Sequence, residues 1–144
     1  MLRSLLGLLA MAFVSLALAA EAPVFATDDG AIRGYDPVAY FTVGEPTKGS
    51  DKFTTSWQGA TFKFASAANL ELFQAEPAAY TPQYGGYCAY AVAKGATAGT
   101  VPEAWTIVEG KLYLNYSLGV RQRWRKDVPG HIAAADQNWA AVLD

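Results

Sequence analysis

The most reactive side chain in this 144-residue sequence is the thiol of Cys88, the only cysteine in the chain. A single thiol cannot form an internal disulfide, and the sequence contains no Cys-x-x-Cys pair. His131 is the only histidine, so the sequence lacks the clusters of thiolates and imidazoles that hold zinc. Any chemistry at Cys88 would therefore depend on that one thiol and the residues around it.

The spacing of residues around Cys88 predicts where the thiol lies. Apolar and aromatic residues recur at i, i+3, i+4, i+7 and i+8 from Tyr84 to Val92, which is typical of the buried stripe of an amphipathic helix over 84–94. On such a stripe Cys88 would be an inert core side chain. Alternatively, the start of this helix behind Gly85-Gly86 would favour the thiolate form. The sequence leaves both interpretations open.

Glycines and tyrosines next to Cys88 suggest a binding site. The backbone N–H groups of Gly85-Gly86 could contact an anion or ligand, although such a pair is also typical of a chain reversal that needs glycine conformations. Eight tyrosines could line a pocket for a planar ligand, or pack in the core with their hydroxyls bonded. The candidate ligand-binding residues are Tyr84, Gly86, Tyr87, Cys88, Tyr113 and Asn115.

Structural roles explain the charged residues better than catalytic or binding roles. Asp36 precedes a proline and is predicted to cap a helix, and no second carboxylate is placed to pair with it in catalysis. A basic cluster falls near the end of a predicted helix, where positive charge is favoured, although an anion-binding patch is the alternative. The net charge of −2 gives no general attraction to nucleic acid. The basic cluster consists of Arg121, Arg123, Arg125 and Lys126.

The first 20 residues are typical of a cleaved secretory signal. One basic residue, Arg3, precedes an apolar or small run over 5–20 that ends in Ala-Leu-Ala-Ala. This run of about 16 residues is shorter than the roughly 20 needed to span a bilayer. We predict that residues 1–20 are removed, that 21–144 form one domain, and that the protein is periplasmic or secreted without a membrane span.

Turn signals and periodicity predict the elements that position these residues. Alternating apolar residues flank Gln58-Gly59 and Glu109-Gly110, which predicts two β-hairpins. We expect an α+β domain in which a small antiparallel sheet of these two hairpins packs against four or five short helices. The predicted helices start at Pro37, after the caps Ser66 and Ser117, at Tyr84 and at Pro129, with a further turn over 77–80.

Three local patterns resemble the YHS domain, and together they span about 45 residues. They are the Asp-Pro-Val of 36–38, the G-x-x-F-x-F-x-S of 59–66, and the Phe, Pro and Tyr at positions 73, 77 and 80. The stretches PQYGGYCAYA and AWTIVEGKLYLNYS are similar to longer exported YHS-domain proteins of bacteria. The resemblance implies a fold and an exported location, but no agreed reaction.

The resemblance also implies where a metal would bind. In metal-binding versions of the domain, thiols follow the Asp-Pro-Val motif and flank the F-x-S-x-x pattern, and those positions here are Ala39, Ala65 and Asn69. Soft metals prefer thiolate or imidazole ligands, so we predict no metal ligands and no resident cofactor in this chain.

Three functions remain open from the sequence. The first is a non-catalytic exported binding module that holds a small ligand, or a metal delivered by a partner, in a Tyr-lined pocket near Cys88. The second is a Cys88-dependent activity, such as thiol redox or copper(I) capture. The third is an interaction module whose exposed aromatic residues bind another envelope protein. The first is our leading prediction, and it assigns no catalytic residues.

Overall fold

A computed structural model describes residues 20–144, which have the α+β fold that the sequence predicts. The predicted signal sequence, apart from Ala20, lies outside the described residues. The strands are β1 (Ala26–Thr27), β2 (Gly30–Ala31), β3 (Ser50–Trp57), β4 (Ala60–Phe64), β5 (Trp105–Val108) and β6 (Lys111–Leu114). The helices are α1 (Ala39–Thr42), α2 (Ala67–Ala75), α3 (Pro77–Tyr80), α4 (Ala89–Ala93), α5 (Leu118–Arg125) and α6 (Val128–Val142).

Both predicted hairpins are confirmed, but they do not join into one sheet. β3 pairs with β4 and β5 pairs with β6, while β1 and β2 form a third antiparallel pair that the sequence did not predict. Each long hairpin turns through two residues with positive φ, at Gln58-Gly59 and at Glu109-Gly110. This is the geometry of a type I′ turn, whose twist matches that of the flanking strands.

Local capping signals set the start of the longer helices. The hydroxyls of Ser66 and Ser117 each accept a hydrogen bond from a backbone N–H in the first turn, at 3.1 Å, as predicted for α2 and α5. Helix α6 begins one residue before Pro129, because the Asp127 carboxylate caps it through the N–H of Gly130 at 3.1 Å. None of the helices within 20–144 combines the length and apolar character needed to cross a membrane.

The helix predicted over 84–94 is wrong in its first half. Gln83–Gly86 instead forms a 3₁₀ turn in which Tyr84, Gly85 and Gly86 all have positive φ, a conformation that an α-helix excludes. Helix α4 begins only at Ala89, and Cys88 is its N-cap, with a non-helical backbone at φ −58° and ψ 116°. The apolar spacing therefore reflects burial of the segment on both sides of a sharp turn and not a continuous helical stripe.

Three hydrophobic clusters make up the core of residues 20–144, and β6 lies between two of them. The first cluster packs β4 against α2 around Phe62, Phe64 and Phe73. The second fills the space between α4, α5 and α6, and includes Tyr113 of β6. The third includes Leu112 and Leu114 of β6. Both faces of strand β6 are therefore buried, and β6 connects the second cluster to the third.

Candidate functional site

Cys88 and Asn115 meet in a buried polar junction. The thiol is 1% exposed and lies 3.5 Å from the side-chain oxygen of Asn115, which also accepts the backbone N–H of Tyr90 at 3.1 Å. The backbone N–H of Tyr116 donates to Cys88 Sγ at 3.3 Å. Asn115 Nδ2 is buried and has no hydrogen-bond partner within residues 20–144. The junction links the start of α4 to the end of β6 and leaves the sulfur no path to solvent.

Three more of the predicted ligand-binding residues are buried in the core. Gly86 is enclosed because a Cβ at that position would lie 2.6 Å from Ile32 Cγ2, and its carbonyl accepts the Thr100 hydroxyl at 2.8 Å. Tyr87 is 5% exposed and its hydroxyl donates to the carbonyl of Ala22 at 2.8 Å. Tyr113 is 3% exposed, and burial is the main cause that raises its pKa. These three residues therefore contact other residues of the core and not solvent.

Tyr84 is the predicted site residue that borders an open groove, of about 330 Å³, on the surface. The groove lies where the β3–β4 turn, the 3₁₀ turn and α6 come together. Trp57 contributes from the end of β3 and Trp139 from α6, and the rings of Tyr84 and Trp139 have centroids 5.9 Å apart at an interplanar angle of 63°. The remaining lining residues are Pro23, Gln58, Ala78, Thr81, Pro82, Gln83 and Gly85.

The backbone of Tyr84 is strained. Its φ is 58°, and it is the only aromatic residue among the described residues with a positive φ. Bulky side chains rarely adopt this region, and such strain persists only when the surrounding structure imposes it. Gly85 follows at φ 62° because its backbone packs directly on the carbonyl of Pro23, where a Cβ would overlap that oxygen. The fold thus holds Tyr84 at the groove at an energetic cost.

Asp136 fixes the other end of the Tyr84 side chain. The Tyr84 hydroxyl donates to Asp136 Oδ1 at 2.9 Å. Burial of the phenol and then this bond to a carboxylate raise the pKa of Tyr84 well above its ordinary value, so the group is neutral at physiological pH. Asp136 lies three residues before Trp139 on α6, so both face the same side of that helix.

A second polar centre forms around the carboxylate of Asp36, which is 0% exposed. Asp36 Oδ1 accepts the backbone N–H groups of Val38 at 2.8 Å and Ala39 at 3.1 Å. Asp36 Oδ2 accepts the backbone N–H of Ala65 and the side-chain N–H of Asn69, both at 2.8 Å. We call this arrangement the Asp36 clasp. The helix predicted to start at Pro37 begins only at Ala39, with Val38 as its N-cap, so Asp36 bonds the turn that leads into α1 and cross-links it to the start of α2.

The Asp36 clasp contains all three positions at which the YHS resemblance implies metal ligands. Ala39 and Ala65 contribute only backbone N–H groups, and the amide N–H of Asn69 is already bonded to the carboxylate. Because a metal needs electron-pair donors and these groups are hydrogen-bond donors, the residues present do not fit a soft metal. Within residues 20–144 there is no cluster of three or more His, Cys, Asp or Glu side chains placed to bind a metal ion.

The basic cluster on α5 divides between two faces. Arg121 donates to the carbonyls of Glu103 and Trp105, both at 3.1 Å, and Arg125 donates to the Thr106 hydroxyl at 3.4 Å. These two arginines attach α5 to the β5 segment, which supports the structural interpretation of their spacing. Arg123 and Lys126 lie on the opposite, outer face of the helix, where they line a separate surface pocket of about 380 Å³.

Most of the residues that line the groove beside Tyr84 were not predicted from the sequence. Trp57 packs against the first hydrophobic cluster and Trp139 against the second. No local sequence pattern shows that the two indoles, 82 positions apart in the sequence, come together beside Tyr84. The usable signal was the Gly-Gly pair after Tyr84, which indicated an unusual backbone.

Comparisons of the chain with protein-family models, with curated proteins and with solved structures find no match. The YHS resemblance therefore rests on the motifs alone.

Proposed function

We propose that this chain is an exported, non-catalytic binding module of YHS type, and that its ligand site is the groove beside Tyr84. The observation that carries the proposal is the combination of an open aromatic groove with a strained backbone that holds Tyr84 in it. Strained residues concentrate at functional sites because selection otherwise removes the strain. A groove of about 330 Å³ is within the range of sites for small molecules.

The groove is open to a ligand, whereas the predicted tyrosine pocket near Cys88 is filled by packed side chains. Tyr87, Cys88, Tyr113 and Asn115 are each 5% exposed or less. A ligand among them would have to displace packed side chains. Tyr84 is itself only 6% exposed, so the surface open to a ligand in the groove comes mainly from the other lining residues. At the groove, Trp57 and Trp139 keep part of their surface exposed.

Native mass spectrometry of the protein purified from its own host tests this function. We expect a retained small molecule in the wild-type protein and its loss in Trp57→Ala, because the indole forms one wall of the groove. Tyr116→Ala is the matched control, since Tyr116 is an aromatic residue with 59% exposure that does not line the groove. Retention of the ligand in Trp57→Ala would place the site elsewhere, and its loss in both variants would point to unfolding.

Protein interaction is a second candidate, because two large apolar side chains that are two positions apart in the sequence are exposed. Tyr116 is 59% and Leu118 is 50% exposed, on either side of the Ser117 cap of α5. Exposed apolar pairs of this kind are typical of contact surfaces. In a cross-linking experiment on the exported protein, Tyr116→Ala should abolish partner capture and Trp57→Ala should leave it intact. The two variants therefore have opposite effects under the two functions.

A Cys88-dependent activity is the least supported of the three. The thiol is 1% exposed and accepts a backbone N–H, so a reagent or copper(I) ion would reach it only after local opening.

A further inference from the structure

Residues 21–25 lie outside the helices and strands but are bound into the domain, and we call them the N-terminal arm. The N–H of Phe25 donates to the Gly85 carbonyl at 2.9 Å. The Tyr87 hydroxyl donates to the carbonyl of Ala22 at 2.8 Å. The arm is therefore part of the folded domain and not a free leader.

The start of the arm lies at the C-terminal end of α6. The N–H of Glu21 donates to the Leu143 carbonyl at 2.9 Å, and Leu143 is the C-cap of the helix. The last carbonyls of a helix lack partners within the helix and carry the negative end of its dipole. Ala20, on the other side of the Glu21 nitrogen, is exposed. The Ala20–Glu21 peptide bond thus joins an exposed residue to a nitrogen held at the negative end of a 15-residue helix.

Removal of the predicted signal would change the charge of this nitrogen. Hydrolysis of the Ala20–Glu21 amide bond consumes one water molecule. Ala20 leaves with a carboxylate, and the Glu21 nitrogen becomes an α-amino group that is mostly protonated at neutral pH. An ammonium group thus replaces a neutral N–H donor at the same position. Hydrogen bonds from charged donors are stronger than neutral ones, and positive charge stabilises the C-terminus of a helix.

From this arrangement we propose that the α-ammonium group of Glu21, released by processing, caps the C-terminus of α6 and fixes the N-terminal arm to the domain. The inference rests on the predicted removal of residues 1–20 and goes beyond the proposed ligand site. It also selects the Ala20–Glu21 bond as the site of cleavage. Cleavage before Ala20 would move the ammonium group one residue along an exposed segment, and cleavage after Glu21 would remove the donor.

The arm also forms part of the groove. Pro23 lines the groove, and its carbonyl packs on the backbone of Gly85. Trp139, another lining residue, lies on α6 four residues before Leu143. Val24, the next residue of the arm, is 2% exposed within the first hydrophobic cluster. The cap therefore connects two of the elements that line the groove and holds them in register.

Selective acetylation of the exported protein tests the role of the charge. At about pH 6.5 lysine amines are almost wholly protonated, so acetylation occurs first at the α-amino group. The product has an amide at Glu21, which keeps the N–H donor seen in the structure and removes the charge. Peptide mass spectrometry identifies both the first residue and the acetylated amine. The mature chain should begin at Glu21, and a different first residue would overturn the assignment of the cleavage site.

Urea unfolding of the free and acetylated forms measures the effect of the cap. At low salt the unfolding equilibrium constant of the free form should be roughly two- to fivefold smaller, and the difference should shrink in about 1 M NaCl because salt screens the charge. Glu21→Gln is the matched control, because it removes the side-chain charge on the same residue and should leave the effect of acetylation in place. Equal stability of the two forms at low salt would overturn the inference, and so would loss of the acetylation effect in Glu21→Gln.

Hydrogen exchange shows where the cap acts. Acetylation should speed exchange of the Phe25 N–H, which anchors the arm to Gly85, roughly two- to fivefold. The Asn69 N–H, bonded to Ser66 Oγ in the first turn of α2 at 3.1 Å, should exchange at an unchanged rate. Equal acceleration at both positions would show that acetylation acts on the whole fold, and the assignment of a local cap would then be wrong.

Discussion

The Asp36 clasp and the Tyr84 groove place their polar groups in opposite ways. In the clasp, both carboxylate oxygens are buried and each accepts two N–H donors, at 2.8–3.1 Å. In the groove, a strained aromatic residue is held against a single exposed carboxylate, and the neighbouring indoles remain partly open to solvent. A fully satisfied buried network stabilises a fold. An open and strained arrangement costs stability, so its retention favours a functional explanation.

This comparison changes how the YHS resemblance is understood. The positions at which it implies metal ligands are close together in space, as a metal site would require, but they surround a carboxylate and present hydrogen-bond donors. The centre of the region is thus the negative Asp36 carboxylate, surrounded by N–H donors. A metal site would instead have a positive ion surrounded by electron-pair donors. We infer that the region has a structural role and that any binding function lies elsewhere in the molecule.

The largest expected effect is at the clasp. Asp36→Ala leaves two buried and two partly buried N–H groups without this partner, and each unsatisfied buried group costs about 1–3 kcal/mol, so we expect a loss of about 4 kcal/mol in the free energy of unfolding. Urea unfolding followed by circular dichroism measures it. Asp51→Asn is the control, because Asp51 is an exposed carboxylate whose ion pair with Lys63 at 2.8 Å should contribute little. A loss below about 1 kcal/mol in Asp36→Ala would contradict the structural role.

The cluster beneath the clasp should be nearly as sensitive. Phe64 is 0% exposed, so Phe64→Ala creates a cavity and should cost roughly 3–5 kcal/mol. Trp105 is only partly buried beside Tyr40, so Trp105→Ala should cause a smaller loss. Urea unfolding of both variants gives the order. An equal or larger loss in Trp105→Ala would contradict the observed burial.

Chemical labelling of Cys88 tests whether its junction with Asn115 is closed to solvent, like the clasp, or accessible, like the groove. Because Sγ is 1% exposed, we expect slow labelling by an aromatic disulfide reagent in the native state and fast labelling in urea. Cys88→Ala should cost about 1–2 kcal/mol through lost packing and the lost bond from Tyr116. Fast native labelling at neutral pH would instead favour the thiol-dependent function.

Local sequence signals predicted most of the fold. The Gln58-Gly59 and Glu109-Gly110 turns and the Ser66 and Ser117 caps act within a few residues, so their effects can be read from adjacent positions. The error at Tyr84 arose because the positive φ there depends on the approach of a distant segment at Pro23. An apolar spacing of 3 and 4 does not distinguish that turn from a helix.

The candidate site was harder to predict because its parts are distant in sequence. Asp36 was predicted to be a cap from its neighbour Pro37, but its bonds to Ala65 and Asn69 cross 29 and 33 positions. Tyr84 was selected for its aromatic ring, and the partners that give it a role, Trp57 and Asp136, lie 27 and 52 positions away. Contacts of this kind follow from the packed fold and leave no local pattern.

The smallest expected effect concerns Tyr84 and pH. Tyr84 has a pKa raised first by burial and then by its bond to Asp136, and Tyr40 has a pKa raised mainly by burial. A phenol whose folded pKa exceeds the unfolded value of about 10 contributes stability that is complete below pH 10 and is lost as the pH rises through the folded pKa. The free energy of unfolding should therefore fall above about pH 10.

Two tyrosine variants separate the groove from the region of the clasp in that alkaline range. Tyr84→Phe and Tyr40→Phe should each lose about 1 kcal/mol at pH 7, because each hydroxyl donates one hydrogen bond at 2.9 Å, to Asp136 and to the Pro102 carbonyl respectively. Both should then show a shallower decline than the wild type above pH 10 in urea unfolding. Only Tyr84→Phe should also weaken ligand retention, since Tyr40 is 1% exposed and lies away from the groove. A decline in Tyr84→Phe parallel to that of the wild type would mean that its hydroxyl does not titrate as the Asp136 bond requires.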